Sequence, residues 1–220
     1  MRSSVAARPD SKLMHDNNEA YKHNKYDVNM REEQQLNGGL RDLFKVNRHF
    51  QNLLIMMVMW IASSFNMYLV TFTSKYIPGN IFQNIFESSL IDIPFGILGG
   101  VAYHKLGTRL SLVLAFTISL IGSISIAFLG DANPEYVPWM MSLARGGVKV
   151  TLDICYLANS LIFPTIFAGT AFGFCNFGAK TATVLAPLLA EIQPPTPMII
   201  FSGVSLVAGF LSLLIVSPRK

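Results

Sequence analysis

Charge is scarce in this 220-residue chain: Lys, Arg, Asp and Glu make up 14% of it, against about 25% in soluble domains. Hydrophobic residues reach 51% and the mean hydropathy is +0.43. Together these exclude an ordinary soluble domain and point to a protein whose solvent is the lipid bilayer. Cysteine is scarce too. Cys155 and Cys175 both lie in apolar runs, which reads as two small buried hydrophobes, not a disulfide framework or a metal site. The histidines, His15, His23, His49 and His104, show no metal spacing, so neither a metal nor another cofactor is expected. No Gly-rich phosphate loop precedes a Lys-Ser/Thr pair, and nothing arranges Ser, His and Asp as a triad, so an enzyme is not expected. The net charge of +4 resides mostly in a polar N-terminal segment, with no basic face interleaved with exposed aromatics. Nucleic acid is therefore excluded as a partner. No apolar run lies near the start, and a cleavable signal peptide is not expected there.

What the chain does have is a series of long apolar runs. Residues 1–39 are polar, rich in Asn and charge, and read as a disordered cytoplasmic tail. Residues 40–50, LRDLFKVNRHF, read as a short amphipathic helix at the membrane surface. Residues 51–218 then hold six runs of spanning length, about 17–25 residues each. They are Leu53–Phe72, Ile81–Tyr103, Leu110–Leu129, Val137–Phe163, Ile166–Leu189 and Met198–Val216. The fourth reads as interrupted at Gly146-Gly147, and Pro94, Pro164 and Pro187 mark expected kinks. The fold class expected is an all-α membrane protein with six transmembrane helices.

Orientation follows from the loop cations. The N-terminal segment carries nine Lys and Arg, the loop after the second run holds Lys105 and Arg109, and the C-terminus ends Arg219-Lys220. In a six-span chain these segments share one side. The opposite loops hold Lys75, Asp131, Glu135 and Glu191. Both termini are expected in the cytoplasm, in a multi-pass protein of the plasma membrane.

Several charges lie inside the apolar runs, where each costs about 2.5–3.5 kcal/mol at the centre of a membrane helix. Arg145, Lys149 and Asp153 are spaced i, i+4, i+8 and drift only about 80° around the helix. Tyr156 and Ser160 fall in the same sector, making a polar stripe. Counted from Val137, Lys149 lies about 18 Å in, near the midplane. Lys180 is also near mid-depth, and Asp92 and Glu87 are acids of the second run. One reading is internal pairing: Lys149 with Asp153, and Asp92 with Lys180 or Arg145. The other is that Lys149 and Lys180 line an aqueous cavity and attract an anion, with Tyr156 and Phe172 as further walls.

The loop after the second run reads GGVAYHKLGTR. It resembles the loop signature of the major facilitator superfamily, a Gly, then an Asp-Arg pair, then Gly-Arg-Arg. Gly100, Lys105, Gly107 and Arg109 match, while His104 stands where the family usually has Asp and Thr108 where it often has Arg. More closely, the chain resembles the C-terminal half of the organic cation/anion transporters. Asp42-Leu43-Phe44 resembles the entry to that family's seventh helix, Ser89-Leu90-Ile91-Asp92-Ile93-Pro94 the acid-Ile-Pro motif of its eighth, and Phe163-Pro164-Thr165 its Tyr-Pro-Thr motif before the eleventh. From there Thr170, Gly173, Cys175, Lys180, Ala186 and Pro187 stay in register with the eleventh helix. Leu161 departs from the pattern, standing where the family usually has Glu. The resemblance covers roughly residues 40–218.

The resemblance implies transport of small organic ions by alternating access. The position of Lys180 is basic in the anion-transporting members and acidic in the cation transporters, which implies organic anions. The loop signature places Lys105 and Arg109 where they would stabilise one gate state, and the residue reading puts Arg145, Asp153 and Asp92 in the charge-pair set. Family members have twelve spans with the substrate between two six-helix halves. This chain matches one half, so a second half or a second copy is the expected partner. The alternative is a non-transporting multi-pass subunit or a truncated transporter remnant.

Overall fold

The structure is a computed structural model that describes residues 47–76, 81–130, 132–163 and 165–215; within these, the side chains of residues 47–49, 81, 83–85, 87 and 88 are not described. The tail of residues 1–39, all of the 40–50 segment but its last four residues, Asp131, Pro164 and the C-terminal Arg219-Lys220 lie outside the described residues, as does the side chain of Glu87. The described residues are helical and contain no strand.

Helix α1 runs Asn47–Thr73 and ends in a 3-10 turn, Ser74–Tyr76. The helical stretch Ile81–Leu129 follows, with non-helical backbone at Gly107 (φ 77°, ψ 177°). In a straight helix Phe95 and Ile118 would stand about 34 Å apart. Instead Phe95, Leu98 and Ala102 share one small cavity with Ser111, Leu114 and Ile118, so the stretch folds back on itself. Its arms are α2 (81–106) and α3 (108–129). The chain continues as α4 Val137–Ile162, α5 Thr165–Thr183, the single turn-and-a-half α6 Leu185–Ala190, and α7 Thr196–Ser212. The fifth apolar run thus breaks at Val184, three residues before Pro187, as a ring that cannot donate to the preceding turn requires.

The bend at Gly107 lies in backbone territory essentially reserved for glycine. Gly107→Ala meets no steric neighbour, so its cost is conformational: about 1–3 kcal/mol. A lowered thermal midpoint, alongside an unchanged or raised one for Gly100→Ala in the open helix nearby, checks this.

Gly146-Gly147 does not interrupt α4, which is continuous through both. The pair is a packing device. A Cβ on Gly146 would lie 2.6 Å from the Phe95 ring on α2, and one on Gly147 would lie 2.6 Å from the Ser119 backbone nitrogen on α3. Gly122 on α3 faces the α4 backbone at Ala144 just as closely. Helix α4 is therefore pressed into the angle of the α2–α3 hairpin, where small residues permit backbone approach.

Trp60, Met56, Leu53, Phe116, Cys155 and Cys175 are buried in one apolar cluster that joins α1 to α3, α4 and α5. A second cluster, with Leu69, Met141, Ala186, Met198 and Phe201, binds α1 to α4, α6 and α7 at the other end. Polar stitches tie the outer helices in. Asn66 Nδ2 donates to Ser205 Oγ (2.9 Å) and to the Phe201 carbonyl (3.3 Å), and Ser123 pairs with Ser202 at 2.8 Å. Two stretches are long and apolar enough to cross a membrane, Phe50–Tyr76 and Ser89–Leu129, and Thr196–Ser212 is a shorter apolar helix. Side chains such as Phe128, Phe177, Phe210 and Leu188 are more than 60% exposed on the periphery, which suits lipid and not water.

Candidate functional site

The polar stripe of α4 lies where α1, α2, α4 and α5 converge. At its inner end Arg145 is held by three hydrogen bonds to two neighbouring helices. Its Nε and Nη2 donate to the two carboxylate oxygens of Asp92 on α2 (3.3 and 3.0 Å), and Nη1 donates to Thr71 Oγ1 on α1 (3.1 Å). The Arg145 and Asp92 side chains are 14% and 17% exposed. This two-pronged geometry matches the planar guanidinium to a carboxylate. Of the partners open to Asp92, Arg145 is the one the fold selects.

One turn further, Lys149 Nζ donates to both oxygens of Asp153 (2.5 and 2.6 Å). Their exposures are 29% and 43%, and Tyr156 beyond them reaches 45%. The stripe therefore opens progressively from Arg145 towards Tyr156. Tyr156 and Phe172 meet Trp60 of α1 edge-on, with ring centroids 4.5 and 5.2 Å away, and each other at 5.7 Å. Such edge contacts are the arrangement aromatic quadrupoles prefer.

Lys180, on α5, is exposed. Its Nζ donates to Tyr68 Oη of α1 at 3.2 Å and stands 5.1 Å from the centre of that ring. Among the described residues no carboxylate forms an ion pair with it. The described charges of this face are thus two closed pairs and one cation whose partner is a neutral phenol.

Lys105 is exposed at the α2–α3 bend. Arg109 turns away from the stripe: its Nε and Nη2 donate to the Ile215 carbonyl just beyond α7 (3.2 and 2.9 Å). The guanidinium thereby ties the α2–α3 bend to the chain three residues past the end of α7. At the opposite end of the bundle, Lys75 and Tyr76 both reach Glu191 after α6, the tyrosine hydroxyl donating at 2.7 Å. Among the described residues no group of His, Cys, Asp and Glu could hold a metal ion.

Tyr68, Thr71 and Trp60 were not singled out as site residues by the sequence. All lie on α1, at spacings of three and eight that carry no charge signal, and nothing local marks which face of an apolar helix meets α4 and α5.

No family model matches the chain. Curated relatives do. It is 28% identical over 197 residues to solute carrier family 22 member 3 of Rattus norvegicus, covering 86% of this chain and 35% of that protein. It is 26% identical over 182 residues to solute carrier family 22 member 1 of Bos taurus, covering 79% and 32%. Organic anion transporter 3 of Mus musculus is 24% identical over 176 residues, covering 78% and 32%. The chain is therefore homologous, along most of its length, to transporters of organic cations and anions. Within that class its homologues are solute carriers of family 22, and it spans about a third of their length.

Proposed function

We propose that this chain forms a six-span half of a secondary transporter for small organic anions. The α2–α3 fold-back supports reading the Ser89–Leu129 stretch as two crossings instead of one, which with α1, α4, α5–α6 and α7 would make six. Both termini then lie in the cytoplasm, and the protein resides in the plasma membrane as a multi-pass carrier, not an enzyme. Alternating access would take place around the opening face of α4, closed by a second six-helix half or a second copy.

The observation that carries the anion reading is the charge balance of that face. The Arg145–Asp92 and Lys149–Asp153 pairs are each internally neutral, leaving Lys180 as the cation of this face without an acid among the described residues. It is free to exchange its phenol contact for a substrate carboxylate, a stronger charge-assisted bond. Lys149 would add to the field from its position beside Asp153, and Tyr156 and Phe172 would pack the apolar body of the substrate. Lys105 and Arg109 would steady one gate state from the hairpin bend.

The test is binding and uptake of benzoate by the chain in lipid vesicles. Loss of a charge-assisted contact worth about 1.5–3 kcal/mol should weaken benzoate affinity about 10–100-fold in Lys180→Ala. Lys180→Asp should instead favour a quaternary ammonium ion. Unchanged affinities in both variants would discard the assignment. The internal pairing of the other four charges also suits the alternative of a non-transporting multi-pass subunit. In that case Lys180→Ala would alter thermal stability alone, and wild-type vesicles would neither bind nor accumulate benzoate.

A further inference from the structure

A cavity of about 200 Å³ opens at the Lys75–Glu191 end of the bundle, remote from the Lys180 face. Tyr76, Ile126, Val137, Met141, Pro195 and Met198 are among its walls, so α1, α3, α4 and α7 all contribute. Met141 and Met198 are almost wholly buried at its floor, whereas Tyr76 is half exposed at its mouth. The hydroxyls beside it are already committed. Thr73 Oγ1 donates to the Leu69 carbonyl at 2.8 Å, and Tyr76 Oη donates to Glu191. Among the described residues no charged side chain lines it.

Two helices begin at this cavity, α4 and α7, and a helix start ordinarily favours an anion. Here both carry proline in the first turn, which removes an N–H donor from each. The Met198 and Ile199 amides of α7 are bonded to the Pro195 carbonyl. The nearest described cation, Lys75, stands 4.9 Å from the Tyr76 ring at the mouth but is already paired with Glu191, so an anion would find no unpaired counter-charge among the described lining residues and no free amide at the start of α7. An apolar cavity of about 150 Å³ accepts a benzene-sized guest, and methionine sulfurs make favourable contacts with aromatic rings.

We propose that this cavity is a binding site for a neutral, single-ring aromatic group. It is separate from the Lys180 face and does not depend on the transport reading. Because its walls come from four helices, a bound ring wedges α1 and α7 against the start of α4, the helix that carries Arg145 and Lys149.

The test is the alkylation of a cysteine at the floor, Met198→Cys, in the full-length protein in detergent, followed by mass spectrometry. The reagents are N-phenylmaleimide and its para-carboxylate analogue. Labelling of the unsubstituted chain is subtracted, and Asn133→Cys on the exposed connection before α4 reports the intrinsic preference for each reagent. Burying an unpaired charge is unfavourable, so the neutral reagent should gain about 10-fold over the carboxylate at position 198 relative to position 133. Benzyl alcohol should slow the neutral reaction, and Ile126→Trp, which fills the cavity, should reduce it to background. The proposal fails if the two positions show the same preference, or if filling the cavity leaves the rate unchanged. Should Met198→Cys not fold, Thr73→Cys on the facing wall carries the same test.

Discussion

Arg145→Leu should destabilise the bundle by about 3–5 kcal/mol, because it leaves the Asp92 carboxylate buried without its counter-ion. Asp92 is 17% exposed and receives both prongs of the guanidinium, so little water is at hand to replace them. The loss also frees Thr71 from its contact to α4, separating α1, α2 and α4 at once. The double variant Arg145→Leu with Asp92→Leu should recover most of the loss, since removing both members of a buried pair is often close to neutral. Thermal unfolding of the four-member cycle in one detergent measures the coupling. If Arg145→Leu alone melts with the wild type, the pair does not hold the helices together. By contrast, breaking the Lys149–Asp153 pair, which is a third exposed and confined to one helix, should change stability only slightly.

The second large effect is expected at Gly147. A leucine there would drive its Cβ to within 2.6 Å of the Ser119 nitrogen and 2.8 Å of the Ala115 carbonyl oxygen. Both are backbone atoms of α3 and cannot swing aside as a side chain would. Overpacking of this kind costs about 1–3 kcal/mol, and more where the backbone must shift. Helix α4 would be pushed out of the hairpin angle, moving Lys149 two residues along. Gly147→Leu should therefore lower both the thermal midpoint and benzoate binding. Gly173→Ala on α5 is the control: nothing lies within 4 Å of its added Cβ, and alanine is the better helix former by about 1 kcal/mol. Equal midpoints for Gly147→Leu and wild type would show that the α3–α4 contact is looser than drawn.

Much of this architecture is legible in order along the chain because lipid imposes a length and polarity rule on each helix separately. The apolar runs, the stripe Arg145-Lys149-Asp153 and its i, i+4 pair follow from periodicity alone. The Gly146-Gly147 pair misleads, since glycine weakens an isolated helix but also lets two backbones touch; the choice rests with α2 and α3, which the local sequence does not contain. The partners of Asp92 and Lys180 were equally out of local reach. Tyr68 and Lys180 are 112 residues apart in the chain, and Arg145 and Asp92 are 53 apart.

By itself the sequence determined that the chain is helical, apolar enough for a bilayer, and burdened with charges that apolar surroundings must compensate. Each of these depends on residue type and on spacing within one helix. Only the tertiary structure decided which charge compensates which. Arg145 closes on Asp92, Lys149 on Asp153, and Lys180 is left with the Tyr68 hydroxyl. That outcome depends on which faces of α1, α2, α4 and α5 meet. Steric fit at Gly146 and Gly147 sets α4 against α2 and α3, the left-handed backbone of Gly107 folds α2 and α3 together, and no pattern within a single helix encodes either.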